Sequence, residues 1–226
     1  MNCACDMSLA GCGFGVLAYL LGALPNGFLL ARSKGVDIRK VGSGNIGATN
    51  VFRSVSKTLG ILTFIADAVK GLVPALVFPY LVTRISGGPV PSWLGIGYAA
   101  LAIAGHTWPV YLGFKGGKGV ATSAGALIGI APGATGIGFL AWIVVFLVSR
   151  YVSVASIVAA LAVPAAAWCL YRGEGLLLPI FLTVLGASIV LRHKSNLQRL
   201  ASGTEHRFEF GRKRSKPAVE NSGSQA

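Results

Sequence analysis

Val120-Ala121-Thr122-Ser123-Ala124-Gly125-Ala126-Leu127-Ile128-Gly129-Ile130-Ala131 is the segment on which the topology of this chain turns. It is apolar or small throughout, yet far shorter than the ~20 residues that cross a ~30 Å hydrocarbon core. Longer apolar runs lie before it, at 11–31, 59–82 and 92–112, and after it, at 133–149, 152–171 and 175–191. If the short segment crosses, in a thinned or protein-buried region, the chain has seven spans; if it is re-entrant, the tail changes sides. Charge decides between the two. With seven spans and the N-terminus outside, Arg32, Lys34, Arg39, Lys40, Arg53, Lys57, Lys115, Lys118, Arg150 and the basic tail from Arg192 onward all lie inside. Arg84 and Arg172 are left outside, and Lys70 falls within a span. Without the crossing this asymmetry weakens, so the positive-inside rule favours the crossing. The expected fold is an all-α integral membrane protein, a seven-transmembrane-helix bundle with the N-terminus outside and the C-terminus cytoplasmic. Residues 1–207 read as one membrane-embedded domain, and 208–226 as a basic, disordered cytoplasmic tail.

Composition supports this class. The chain has 226 residues, 54% hydrophobic and 12% charged, about half the ~25% charge of soluble domains. Mean hydropathy is +0.68. No polar run is long enough for a second core. The formal charge of +13 is accounted for by membrane orientation, and no nucleic-acid-binding module is present. The basic tail also suits anionic lipid headgroups. Cys3 and Cys5 have no zinc-ligand spacing, and no metal or cofactor is expected. Leu9-Ala10-Gly11-Cys12 imitates a lipoprotein cleavage box, but no basic and apolar leader precedes it.

Three polar motifs interrupt the apolar pattern, all on the side expected to be cytoplasmic. The first runs Gly42-Ser43-Gly44-Asn45-Ile46-Gly47-Ala48-Thr49-Asn50 to Arg53. It matches G-x-G-x-x-G literally, but no strand precedes it and no βαβ unit surrounds it, so a dinucleotide fold is excluded. The underlying physics still applies. Glycines let backbone N–H groups approach an anion, Ser43, Asn45, Thr49 and Asn50 add neutral hydrogen-bonding groups, and Arg53 adds a bidentate cation. The bland alternative is a capped turn.

The second motif is Phe114-Lys115-Gly116-Gly117-Lys118-Gly119. It is not a phosphate loop of the Walker type, because position 112 is leucine. Positive-inside topology explains the lysines but not the glycines. His106 precedes it, placed either to act as general base or to hydrogen-bond a loop carbonyl. Asp67 and Lys70, on one helix face within a span, read as a mutual ion pair that positions the helix, with support of a site as the alternative.

The third motif runs Arg192-His193 through Asn196 and Arg199 to Glu205. Arg192, Asn196 and Arg199 share a helical face, which is either a binding surface or a solvated one. Ser153 and Ser156, at a span's inner end, either face a substrate or bond a helix carbonyl.

Together these residues resemble the bacterial acyl-phosphate:glycerol-3-phosphate acyltransferase family. Its motifs are matched at Gly42–Arg53, from Gly105-His106 through Phe114 to Thr122, and from Arg192-His193 to Glu205. Asp67-Ala68-Val69-Lys70-Gly71 and Arg150-Tyr151-Val152-Ser153 also look like family signatures. The resemblance implies transfer of a fatty acyl group from acyl phosphate to the 1-hydroxyl of glycerol 3-phosphate, giving lysophosphatidate and phosphate in phospholipid biosynthesis. It implies a multi-pass enzyme of the bacterial inner membrane, with its active site on the cytoplasmic face and an acyl-phosphate-forming enzyme upstream. Ser43, Arg53, His106, Lys115 and Lys118 become the catalytic candidates. Gly44, Asn45, Gly47, Thr49, Asn50, Gly116, Gly117, Gly119, Ser153, Arg192, His193, Asn196 and Glu205 become candidates for binding substrate and phosphate.

The His-x4-Asp dyad of another glycerol-3-phosphate acyltransferase class is absent: Tyr111, Gln198 and Gly211 stand five residues after the three histidines. Acyl phosphate is a mixed anhydride with a good leaving group, so direct attack needs no covalent enzyme intermediate. The attacking hydroxyl's proton then goes to a substrate phosphate oxygen or to His106. A membrane carrier for phosphorylated metabolites is the alternative, disfavoured because no convincing inverted repeat is found and the polar clusters lie at one face rather than at the midplane.

Overall fold

The computed structural model describes residues 3–209. Among them are ten α-helices: α1 (Cys3–Ala23), α2 (Asn26–Arg32), α3 (Ala48–Ser54), α4 (Lys57–Ser86), α5 (Trp93–Thr107), α6 (Val120–Ile130), α7 (Pro132–Ser149), α8 (Val152–Leu170), α9 (Leu177–Arg192) and α10 (Lys194–Ala201). Four segments are long and apolar enough to cross a membrane: Leu9–Arg32, Lys57–Ser86, Pro132–Ser149 and Val152–Leu170. A fifth results if α9 and α10, bent by 49° at His193, are taken together. The chain is an all-helical, multi-pass membrane protein. Large apolar side chains such as Leu140, Val148, Val184 and Leu191 point outward, as lipid-facing residues do.

The apolar run 11–31, read as one span, is broken at Leu24–Pro25. Pro25 has no N–H to continue the ladder. At the break the Leu24 carbonyl accepts from the Asn26 N–H at 3.0 Å and from Lys70 Nζ at 2.6 Å, and Tyr19 Oη donates to the Trp108 carbonyl at 2.7 Å. The run 92–112 is also shorter as a helix than its apolar length. α5 has 15 residues and ends at Trp108-Pro109; at 1.5 Å per residue it measures about 22 Å.

α4 is the central element, packed against α1, α5 and α6. Contact with the short α6 is made backbone to backbone. A Cβ on Gly71 would lie 2.0 Å from the Thr122 carbonyl, and one on Gly125 would lie 1.8 Å from the Ala68 carbonyl. Bare glycine is what lets these helices approach so closely. α6 is thereby buried on this face, with Thr122, Ser123, Gly125, Ala126 and Leu127 inaccessible. A short helix at membrane depth is tolerated where protein surrounds it. At its far end, α7, α8 and α9 close the main core around Ala160, Ala167, Leu182 and Leu185.

A separate apolar cluster of Ala31, Ile38, Ile46 and Val51, with Leu112 packed against it, sits under the inter-span loops and fixes the first motif to the bundle. After α10 the chain turns back. The Phe208 N–H donates to the Arg150 carbonyl at 2.7 Å, and the Phe208 ring packs on Phe146 and Phe52 with centroids at 5.3 and 5.9 Å. Phe208 therefore belongs to the folded body, where the polar character of the tail led us to expect disorder. The rest of the basic tail, from residue 210, lies outside the described residues.

Gly125→Val is expected to lower the melting temperature in detergent sharply. Overpacking costs about 1–3 kcal/mol where a core can adjust, and here the obstacle is backbone. Gly136→Val, in open surroundings on α7, is the control and should melt like the parent.

Candidate active site

The first motif folds as a loop around one buried side chain. Asn50, 2% exposed, sits beneath it. Its Nδ2 donates to the carbonyls of Val41 (3.0 Å), Asn45 (2.9 Å) and Ile38 (3.2 Å). Its Oδ1 accepts from the Ser43 N–H at 3.1 Å. Gly42 and Gly44 take positive φ, +60° and +69°, and a Cβ on Gly42 would strike Asn50 Oδ1 at 2.3 Å. Asn45 Oδ1 accepts from the Gly47 N–H at 2.8 Å, closing a turn that starts α3. Both asparagine side chains are therefore engaged within the loop. Ser43, Gly44, Asn45 and Ile46 face a cleft; Thr49 is exposed outside it.

The second motif rests on the end of α5. The Gly117 N–H donates to the His106 carbonyl at 3.1 Å. A Cβ on Gly116 would lie 2.2 Å from that carbonyl, and one on Gly117 would lie 2.1 Å from His106 Nε2. Arg192 Nη1 donates to the Gly117 carbonyl at 3.2 Å, while its guanidinium lies 5.0 Å from the Trp108 ring. Gly119, at φ +85°, begins α6. Lys115, Gly116 and Lys118 line the cleft.

These contacts change the expected roles of several residues. Gly117 offers no free N–H to an anion, and its lack of a side chain is required by His106. A Gly117→Val loss of activity would follow from that clash alone. His106 is 4% exposed beneath the loop and does not line the cleft. Arg192 clamps the loop's backbone, and His193 Nδ1 is paired with the Ile189 carbonyl at 2.8 Å, buried at the α9–α10 bend.

The third motif gathers around Glu205. Its Oε1 accepts from Ser153 Oγ at 2.8 Å and from Asn196 Nδ2 at 2.7 Å, and its Oε2 accepts from Arg199 Nε at 2.7 Å. Asn196 Oδ1 in turn accepts from Lys118 Nζ. One carboxylate thus joins α8, α10 and, through Asn196, the lysine loop. Burial alone would raise the Glu205 pKa. The bonds from Asn196, Ser153 and Arg199 together outweigh burial and hold it below the usual carboxylate value. Ser156 faces elsewhere, accepting from Trp142 Nε1 at 3.2 Å.

The cleft between the three motifs has a volume of about 290 Å³. Its cations are Arg39, Lys115, Lys118 and Arg199. Arg39 is held in a two-point pair by Asp37, with Nε–Oδ1 2.9 Å and Nη2–Oδ2 2.8 Å. The arginine's bond pulls the Asp37 pKa down to about 2. Lys118 is pushed down to about 8, first by burial and then by the positive charge of Arg199 and Arg53, against an opposing pull from Glu205. Burial also lowers Arg53, on the last turn of α3. Arg39 and Ser195 are cleft residues that sequence reading did not single out. Arg39 was absorbed into the topology count. Ser195 stands four residues before Arg199, a helical spacing that placed both on one face. Among the described residues no group of three His, Cys, Asp or Glu side chains converges as a metal site.

A cleft lined by guanidinium, ammonium, hydroxyl and glycine backbone at one end of a helical membrane bundle defines a membrane protein built to hold a phosphorylated, anionic molecule. Comparison with known proteins carries this further. Residues 12–203 match the family model described as glycerol-3-phosphate acyltransferase. The glycerol-3-phosphate acyltransferase of Aquifex aeolicus is 42% identical over 193 residues, covering 85% of this chain and 96% of that one. That of Geobacter sulfurreducens is 44% identical over 194 residues, covering 85% and 95%. The crystal structure of PlsY (YgiH), an integral membrane glycerol 3-phosphate acyltransferase, in its glycerol 3-phosphate form superposes with a TM-score of 0.78 at 40% identity, covering 88% of this chain and 96% of that one. The lysophosphatidic acid form gives 0.75 at 39% identity, covering 88% and 95%. This chain belongs to the glycerol-3-phosphate acyltransferase family.

Lys118 is charged below about pH 8 and neutral above it, whereas a simple phosphomonoester is already dianionic above a pKa of ~6. Affinity for methyl phosphate, measured by titration calorimetry, should therefore fall on the order of ten-fold from about pH 7.5 to about pH 9. Lys118→Met should bind weakly at both ends and flatten the profile. A flat wild-type profile would exclude Lys118 from the anion site.

Proposed function

We propose that this protein transfers a fatty acyl group from acyl phosphate to the 1-hydroxyl of glycerol 3-phosphate, releasing lysophosphatidate and inorganic phosphate. The observation that carries the reading is the cleft, in which all three motifs of a glycerol-3-phosphate acyltransferase chain contribute side chains around four cations. Lys115, Lys118, Arg39 and Arg199 neutralise the two phosphates, with Arg53 close enough to Lys118 to add to the field. Ser43, Gly44 and Asn45, which line the same cleft, hold the acceptor. Ser153, Asn196 and Glu205 keep Lys118 and Arg199 in place.

The hydroxyl oxygen of glycerol 3-phosphate attacks the acyl carbon. The bond from that carbon to the bridging phosphate oxygen breaks, and phosphate leaves with the electron pair. The hydroxyl proton passes to a phosphate oxygen of the substrates. His106 is buried under the lysine loop rather than at the cleft wall, which favours that route over a histidine base. Cations fixed before substrate arrives stabilise the charge that develops on the leaving phosphate, and the cleft supplies proximity. No metal, nucleotide or cofactor enters the scheme.

The reading extends to topology. Seven spans, N-terminus outside and C-terminus inside, put the three motifs on the cytoplasmic side of a bacterial inner membrane. There water-soluble glycerol 3-phosphate meets a donor made by an upstream acyl-phosphate-forming enzyme. α5 and α6 supply the two spans that length alone does not support, and the close packing of α6 on α4 makes its crossing compatible with its length. One membrane-embedded domain carries the reaction.

Purified protein is expected to form lysophosphatidate from acyl phosphate and glycerol 3-phosphate in the presence of chelator. Full activity with acyl-CoA alone, or its complete loss on chelation, would contradict the reading. Uptake of glycerol 3-phosphate by proteoliposomes without acyl donor would instead point to a carrier.

In a cysteine-free background, single cysteines in 86–91 should react with impermeant reagent in intact cells. Those in 34–40 should react only after the membrane is opened. Periplasmic labelling at position 213 would overturn the seven-span arrangement.

A further inference from the structure

Asp67 and Lys70 stand one turn apart on α4, and both are buried, at 2% and 3% exposure. Lys70 Nζ lies 2.9 Å from Asp67 Oδ1 and donates to the Leu24 carbonyl at 2.6 Å. Asn26 Nδ2 donates to the same carboxylate oxygen at 3.1 Å. The pair thus holds both sides of the break between α1 and α2. Facing it from α5 is His106, whose Nδ1 lies 3.8 Å from Asp67 Oδ1 and has no hydrogen-bond partner.

From this pair two short paths lead to the cleft. Gly27, next to Asn26, backs onto the first loop so closely that a Cβ would lie 2.0 Å from the Ile46 carbonyl, and Ile46 lines the cleft. His106 carries the second loop, through its carbonyl bond to the Gly117 N–H and through the ring that lies against Gly117. Lys115, Gly116 and Lys118, on either side of Gly117, also line the cleft. One ion pair therefore lies beneath both anion-binding loops, and neither of its members lines the cleft.

We propose that Asp67 and Lys70 are positioning residues for acyl transfer: through Asn26 and His106 they set the separation of the two loops, and with it the affinity for the phosphorylated substrates. Stability alone gives little reason for the pair. Apolar side chains of similar volume often replace buried ion pairs at no cost, but they supply no directional bonds to hold a broken helix and a histidine in register. The proposal rests on the acyltransferase reading for its assay.

The test compares Asp67→Asn, Lys70→Met, Asn26→Leu and the double variant Asp67→Asn/Lys70→Gln in detergent, per folded molecule. Each charge-removing single should raise KM for glycerol 3-phosphate by about ten-fold while kcat stays within about three-fold. The double variant should recover most of that KM, because two amides can keep the bonds to Asn26 and Leu24 with no unpaired buried charge. Asn26→Leu leaves the ion pair intact, so it stays informative if the charged singles do not fold; its KM should rise about three-fold or more. Wild-type KM in Asn26→Leu and in the folded singles, with only melting temperature lowered, would overturn the proposal. So would a loss confined to kcat. Should the wild-type enzyme make no lysophosphatidate, the acyltransferase reading fails separately. Methyl phosphate affinity of the same variants then decides the positioning role: weakened binding sustains it and unchanged binding ends it.

Discussion

Hydrocarbon offers no hydrogen bonds, so every backbone group that a break in a helix exposes must find a partner inside the protein. That constraint shapes this chain more than any single contact. Pro25 breaks the first span, and Lys70 meets the Leu24 carbonyl. Pro79 lies within α4, and Thr83 Oγ1 bonds its carbonyl at 3.0 Å. α6 ends at Ile130, and the Ala131 carbonyl before α7 accepts from both the Thr135 N–H at 2.9 Å and Thr135 Oγ1 at 2.7 Å. Thr183 does the same for Pro179 on α9, at 2.8 Å. Polar side chains at these depths serve the ladder first. The few left over at the bundle's end are the ones available to a substrate.

The cleft applies the same rule at its own scale. Four cations in about 290 Å³ repel one another, and the protein places its carboxylates behind them rather than between them. Asp37 holds Arg39, and Glu205 holds Arg199 and, through Asn196, Lys118. Neither acid lines the cleft. Arg39, Arg199 and Lys118 are thereby oriented before any ligand arrives, which limits the reorganisation that accompanies binding.

The class of protein was legible in hydropathy and charge, because lipid imposes its length and sign rules directly on sequence. The three motifs were legible because glycine beside lysine, serine and asparagine has few other uses at a span mouth. Which residue of a motif faces the cleft was not. Asn45 and Asn50 have the same chemistry, yet Asn50 is spent under the loop and Asn45 sits at the cleft wall with its own side chain closing a turn. Gly117 reads like an anion cradle and is in fact a fit to an imidazole ring. Arg39 could not be told from a topology charge until Asp37 was seen to aim it. Some of these distinctions are set by the exact turn of a loop, as with Asn50 and Arg39, and others by contacts across the chain, such as Lys118 with Asn196; residue types and spacing record neither.

Glu205 follows all the apolar helices in the chain. Ser153, Asn196, Arg199 and, through Asn196, Lys118 are tied by a group that is made after them. The lysine loop emerges from synthesis well before the carboxylate that joins it, through Asn196, to α8 and α10. Until then the buried end of Lys118 lacks its brace, and α10 lacks the bond that sets its angle to α8. The apolar helices alone thus lack this tie, which comes from the last described stretch of the chain. Loss of the chain beyond α10 would therefore unbrace Arg199 and Asn196 while leaving every apolar helix in place.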